Sequence, residues 1–120
     1  MTNLRSYKNV IQHISENNPA GFTVDKVLLE PITTGYAIAV SETQDSFGDS
    51  GLDKVIEIAK HNWIDAIGGW LNSDNGKYYY DAVMVVDDIN DALLLASRNK
   101  QIAIFDLSKG EEIRLYKDNV

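Results

Sequence analysis

Apolar residues recur along this chain with two periods, helical and alternating, and the switches between them mark out nine elements. Leu4, Tyr7, Val10, Ile11 and Ile14 fall on one stripe of a helix, which Asn17-Asn18-Pro19 and Gly21 stop. Phe22 to Leu29 and Tyr36 to Val40 have strand character and are separated by Pro31 and Gly35. Leu52, Val55, Ile56 and Ala59 mark a second amphipathic helix that ends near His61-Asn62. Ile64 to Leu71 and Lys77 to Val86 are predicted strands joined by Asn72-Ser73-Asp74-Asn75-Gly76, where Asn-Gly tolerates the positive φ of a tight hairpin. A third helix covers about Ile89 to Asn99. Gln101 to Leu107 and Glu112 to Tyr116 then form a last hairpin around Ser108-Lys109-Gly110.

The order is helix-strand-strand, three times over. It predicts one α+β domain over residues 1–120, built from three helix-hairpin units. The sheet should be antiparallel and twisted, with about six strands and the helices packed on one face. Within Lys77 to Val86, the uncharged set Tyr78, Tyr80, Ala82, Met84 and Val86 should face the helices, and Tyr79, Asp81, Val83 and Val85 should face outward. By the same logic Ala103, Phe105 and Leu107 are expected in the core, opposite Ile102, Ile104 and Asp106. Ile102-Ala103-Ile104-Phe105 is apolar on both sides, which points to a central strand.

Charge changes the picture more than composition does. Residues 41–91 hold eleven acids against Lys54, Lys60 and Lys77, a net −8, while residues 1–40 are neutral and residues 92–120 carry +1. The whole excess behind the net charge of −7 therefore lies in the middle of the chain. Such a field repels phosphate backbones and attracts basic surfaces, so direct nucleic-acid binding is not expected. The plainer alternative is that these acids only keep the protein in solution. No apolar run approaches the ~20 residues of a membrane span, and the first residues lack the apolar segment of a signal peptide. With no cysteine for disulfides or thiolate sites, a cytoplasmic setting is expected.

Gly48-Asp49-Ser50-Gly51 spells the surroundings of a serine-protease nucleophile. A nucleophilic serine needs a histidine base, and the two histidines are His13, mid-helix, and His61, at the far end of the helix that Ser50 begins. Eleven helical residues put that end ~16 Å away. Ser50 with Asp53 instead has the spacing of a helix capping box. A phosphate-binding loop fits no better, because Asp45, Asp49 and Asp53 surround the place a phosphate would occupy.

Three aspartates, Asp65, Asp81 and Asp106, fall in predicted strands, where Asp is depleted. If they share the outward face, they could hold a divalent metal for phosphodiester chemistry; otherwise they are separate solvent-facing residues, with Arg114 and Lys117 as candidate ion-pair partners. Around the second hairpin lie Trp63, Trp70, Tyr78, Tyr79 and Tyr80. Not all of three consecutive tyrosines can point inward, and Tyr79 among carboxylates has the character of a protein-binding surface. Asp87 and Asp88 are first a cap and dipole complement for the third helix.

Gly21-Phe22-Thr23-Val24-Asp25, the run TGYAIAVSETQDSFG (34–48), GGW (68–70) with NGKYYYD (75–81) and RNKQIAIFDL (98–107) together resemble a family of small proteins from conjugative elements and prophages of Firmicutes and Bacteroides. The resemblance carries no catalytic motif and implies no cofactor. It implies a context in which small acidic proteins inhibit host defence, anti-restriction and anti-CRISPR proteins among them. The expectation is a non-enzymatic inhibitor that occupies the basic surface of a defence nuclease through Glu42, Asp45, Asp49, Asp74, Asp87, Asp88 and Asp91, with Tyr79 as an anchor. The alternative from another class is a small metal-dependent phosphoesterase or nuclease using Asp65, Asp81 and Asp106. A structural module or homodimer is a third.

Overall fold

A computed structural model describes residues 4–115, with side chains from Tyr7 onward. The side chain of Leu4, and Tyr116 and Lys117, lie outside the described residues. The elements follow as α1 (Leu4–Asn17), β1 (Phe22–Asp25), β2 (Tyr36–Ala39), α2 (Gly48–Ala59), β3 (Ala66–Asn72), β4 (Lys77–Val86), α3 (Ile89–Arg98), β5 (Ala103–Asp106) and β6 (Glu111–Arg114). The protein is therefore α+β, with a six-stranded antiparallel sheet among the described residues, in the order β1-β3-β4-β2-β5-β6.

Two of the three expected hairpins form, β3–β4 and β5–β6. The first does not: β1 pairs with β3 at one edge, whereas β2 lies between β4 and β5. The reason lies in Asp25. Its carboxylate accepts hydrogen bonds from the N–H groups of Val27 (3.0 Å), Leu28 (2.6 Å) and Glu30 (3.0 Å), which ends β1 four residues earlier than the apolar run does. The chain then turns back on the outer edge of β1, where Ile32 N–H donates to Thr23 C=O and Pro31 bridges Val24. A proline suits that edge, because it has no N–H to leave unpaired.

The core forms where the two periodicities meet. Ile11 of α1, Leu52, Val55 and Ala59 of α2, and Ala92 and Ala96 of α3 share one buried cluster with Val24, Ile38, Ile67, Tyr80, Ala82, Met84 and Ile104 of the sheet. Tyr80, Ala82 and Met84 thus point where the alternation in β4 places them. In β5 the expected parity is reversed. Ile104 and Asp106 are buried, while Phe105 is 41% exposed; Ile102, just before β5, is exposed as expected. Burial of Asp106 is tolerated because its carboxylate accepts from Ser108 N–H (3.0 Å) and Lys109 N–H (3.2 Å), holding the turn to β6. Nor is β5 central, since only β6 separates it from the edge.

The second helix also starts differently. α2 begins at Gly48, two residues before Ser50, with Phe47 at the cap position and no side-chain cap. Ser50 lies inside the first turn and is no cap. Lys8 of α1 holds this turn instead, its ammonium 2.9 Å from Asp49 and 2.7 Å from Asp53. Gly51 has a packing reason: a Cβ there would stand 2.5 Å from the carbonyl carbon of Ser46, too close for any side chain. Gly51→Ala is therefore expected to lower stability by about 1–3 kcal/mol in urea unfolding. Ser50→Ala should change it by less than about 0.5 kcal/mol; a loss typical of a removed cap would restore the capping role.

Candidate functional site

β4 runs ten residues, but β2 covers only Val83 to Val86 on one of its edges. Beyond that point the segment 40–47 takes over. Val40 N–H donates to Ala82 C=O, the buried Thr43 hydroxyl accepts from Ala82 N–H (3.1 Å), and Ser46 C=O accepts from Tyr80 N–H (2.8 Å). Phe47 closes the run with a bridge to Tyr79. Irregular backbone, helped by one hydroxyl, thus satisfies an edge that a strand would otherwise fill. Asp45 projects from this segment with φ of +60°, exposed, next to Asp81.

Side chains at alternate sheet positions from the core cluster build the site. In β4 these are Tyr79, Asp81 and Val83, opposed on β3 by Trp70, Gly68 and Ala66. Ala37 and Ala39 of β2 and Phe105 of β5 continue the same side. Because so many of these residues are glycine or alanine, the surface is hollow. It forms a trough of about 610 Å³ whose lining includes Thr23, Gly68, Ala37, Ala39, Ala103, Trp70, Phe105 and Leu107. Trp70, 45% exposed, stacks on Tyr79 at 5.2 Å, and Tyr79 meets Phe47 at 5.4 Å, giving an aromatic row along one end. Lys77 caps that row, its ammonium 4.0 Å from the centre of the Phe47 ring.

Among the described residues, Asp81 and Glu112 are the acids lining the trough, and no lysine or arginine lines it. Glu112 has Arg114 beside it at 3.8 Å. Asp81 is different: among the described residues its carboxylate has neither an ion-pair partner nor a hydrogen-bond donor. Burial, and secondarily the charge on Asp45, push its pKa up to about 6.

The other residues picked out from the sequence scatter. Asp49 is tied to Lys8, which holds its carboxyl below the ordinary range, and Gln12 donates to it at 3.3 Å. Glu42 is exposed in the turn before α2, where the Ser41 hydroxyl donates to it at 3.4 Å. Asp74 is at the tip of the β3–β4 hairpin. Tyr79 belongs to the aromatic row, and its hydroxyl accepts from Asn75 at 2.9 Å. Asp88 is the N-cap of α3, accepting from Asn90 N–H (2.7 Å) and Asp91 N–H (3.1 Å), with Asp87 and Asp91 exposed beside it. This group follows the far end of β4, six residues past Asp81 and so roughly 20 Å away.

The three strand aspartates do not assemble. Asp81 lines the trough, Asp106 is buried under the β5–β6 turn, and Asp65 precedes β3, where it accepts from Val85 N–H at 2.8 Å. Among the described residues no group of three or more His, Asp or Glu side chains is placed to hold a metal ion. Nor is any helix among them long and apolar enough to cross a membrane. No protein-family model, no curated protein and no solved structure matches the chain, so the site is read from its own chemistry.

The isolated carboxylate has a thermodynamic signature. A group whose folded pKa is raised favours the folded state while protonated, and that contribution disappears as pH rises through the folded pKa. Going from 3.8 to about 6, Asp81 alone should remove about 3 kcal/mol of stability between roughly pH 4 and pH 7. Asp81→Asn should accordingly be more stable than the parent at about pH 8 and nearly equal to it at about pH 4 in urea unfolding. A variant less stable at the higher pH would mean that the carboxylate has a partner.

Proposed function

We propose that this chain is a non-enzymatic binding protein that covers a basic protein surface with the 41–49 loop and the adjoining trough. One observation carries the reading: Asp81 lies close enough to Asp45 for their charges to repel, neither has a neutralising cation among the described residues, and both adjoin an aromatic row. Like charges in partly desolvated surroundings raise the free energy of the unbound protein. A cationic partner relieves that repulsion, and Trp70 and Tyr79 supply rigid contact area at low entropic cost. That the three helices all lie against the opposite face, leaving this one open to a partner, is part of the reading.

The net charge of −7 favours partners whose basic surfaces otherwise hold nucleic acid. The resemblance to small proteins of conjugative elements and prophages narrows them to host defence proteins, with a CRISPR effector or other defence nuclease as the leading case. On this reading the protein inhibits by occupying the groove that receives phosphates. Asp87, Asp88 and Asp91 would make a second, separate contact.

Immobilised protein exposed to lysate of the source cell at low and high salt tests the proposal. A basic, nucleic-acid-binding protein should be retained at low salt and displaced by duplex DNA, and Asp45→Lys should weaken its retention by about tenfold or more. Asp45 is the informative position, because Asp49→Lys would also break the Lys8 contact that docks α1. Equal retention by Asp45→Lys, or retention that DNA does not compete with, would overturn the proposal.

A further inference from the structure

A ligand for the trough must answer three features. Its lining includes several small residues, Ala37, Ala39, Gly68 and Ala103 among them, which leave room for methylene groups to lie against backbone and Cβ atoms. Gly68 contributes to that space: a Cβ there would already stand 3.3 Å from Val83 Cγ2 and 3.4 Å from Phe22 C=O. The only charges lining it are carboxylates, of which Glu112 has Arg114 and Asp81 has no partner among the described residues. A flat aromatic residue, Trp70, stands at one end, with Phe105 and Leu107 among the lining residues of β5 and the chain just beyond it. An apolar stem, a cationic head and a preference for aromatic neighbours together describe arginine.

We propose that the trough is an arginine-binding site, in which the guanidinium of a partner's arginine meets the Asp81 carboxylate while its methylenes lie over Ala37, Ala39 and Gly68. This deepens the reading of the chain as a cover for basic surfaces, and rests on it. Arginine suits the site better than lysine, since its guanidinium is planar, more weakly hydrated and stacks on aromatic rings. A volume of about 610 Å³ exceeds one side chain, so the occupant is a segment of a protein that carries the arginine, not the free amino acid.

The interaction depends on Asp81 being ionised. Asp45 faces it from the 41–47 segment, and Glu112 with Arg114 comes from β6. β1, β2, β3 and β5 bring Thr23, the alanines, Gly68 and Phe105, none of which titrates. On β4 itself the neighbours are Tyr79 and Lys77, the latter held over Phe47. Affinity should therefore fall as pH drops through about 6.

Two probes, N-acetyl-arginine methylamide and its lysine counterpart, titrated into the labelled full chain by NMR, test the proposal. The arginine probe should give saturable shifts at the amides of Gly68 and Asp81 and at the Trp70 indole, with a Kd on the order of 1 mM, as befits so small a ligand. The lysine probe should bind several-fold more weakly. Asp81→Asn, a variant expected to fold at least as stably as the parent, should lose about tenfold or more. Ala39→Leu keeps every charge but fills the trough at a partly exposed position, and should bind as poorly. Shifts that are unsaturable, centred elsewhere, or unchanged in either variant would overturn the site. If the probe saturates the trough while Asp45→Lys leaves partner capture intact, the arginine site stands and the inhibitor reading falls. Loss of capture in Asp45→Lys without any probe binding would mean the reverse.

Discussion

β4 presents backbone hydrogen-bonding groups along both edges for its full length, but β2 reaches only its last four residues. The remaining donors and acceptors lie in a buried environment, where an unpaired N–H costs about 1–3 kcal/mol. Segment 40–47 meets this demand with Thr43 Oγ1, Ser46 C=O and the Phe47 bridge, and its shape follows from where those three must be. Ser46 is pressed so close to α2 that position 51 has room only for glycine. Asp45, between Thr43 and Ser46, is forced into a left-handed backbone conformation and placed beside Asp81. A backbone requirement thus produces the electrostatic feature on which the functional reading rests.

The same stretch of chain treats its acids in two ways. Where α2 begins, Lys8 reaches across from α1 to Asp49 and Asp53, so these charges help to dock one helix on another. Asp45, a turn earlier, and Asp81, across from it on β4, have no such neutralisation among the described residues. An uncompensated carboxylate in a partly buried position works against folding, and it adds nothing to the packing of the sheet. Groups of this kind concentrate at functional sites, where a ligand rather than the protein completes the charge balance. The trough agrees with that view from geometry alone, because alanine and glycine at alternate positions of three strands leave the space a partner would fill.

Element types were legible from periodicity, since each helix and strand carries a clear apolar stripe or alternation, and the Asn75-Gly76 turn could be read from its residues. Pairing was less so. Nothing near Pro31 or Gly35 indicates that β2 skips β1 to lie beside β4, because that choice depends on contacts between segments distant in sequence. The parity of β5 could not be read from Ile102-Ala103-Ile104-Phe105, which is apolar on both sides, and Asp106 misled because a turn satisfies its charge. In the site, Tyr79 was visible as the tyrosine that must face outward. Asp81 stands out in the sequence as an unusual strand aspartate, but the other members of the expected metal cluster, Asp65 and Asp106, lie elsewhere. Ala37, Ala39, Gly68 and Ala103 were missed, although small residues at one parity of several strands are the signal of a hollow face.

Among the described residues, no cation neutralises the partly buried Asp81 carboxylate. A carbon-13 NMR titration of the Asp81 carboxyl in the intact chain measures this directly. The midpoint is expected near 6, and lower when Asp45 is replaced by asparagine. A midpoint at or below that of an ordinary aspartate, about 4, would show the charge to be already compensated and would contradict that expectation.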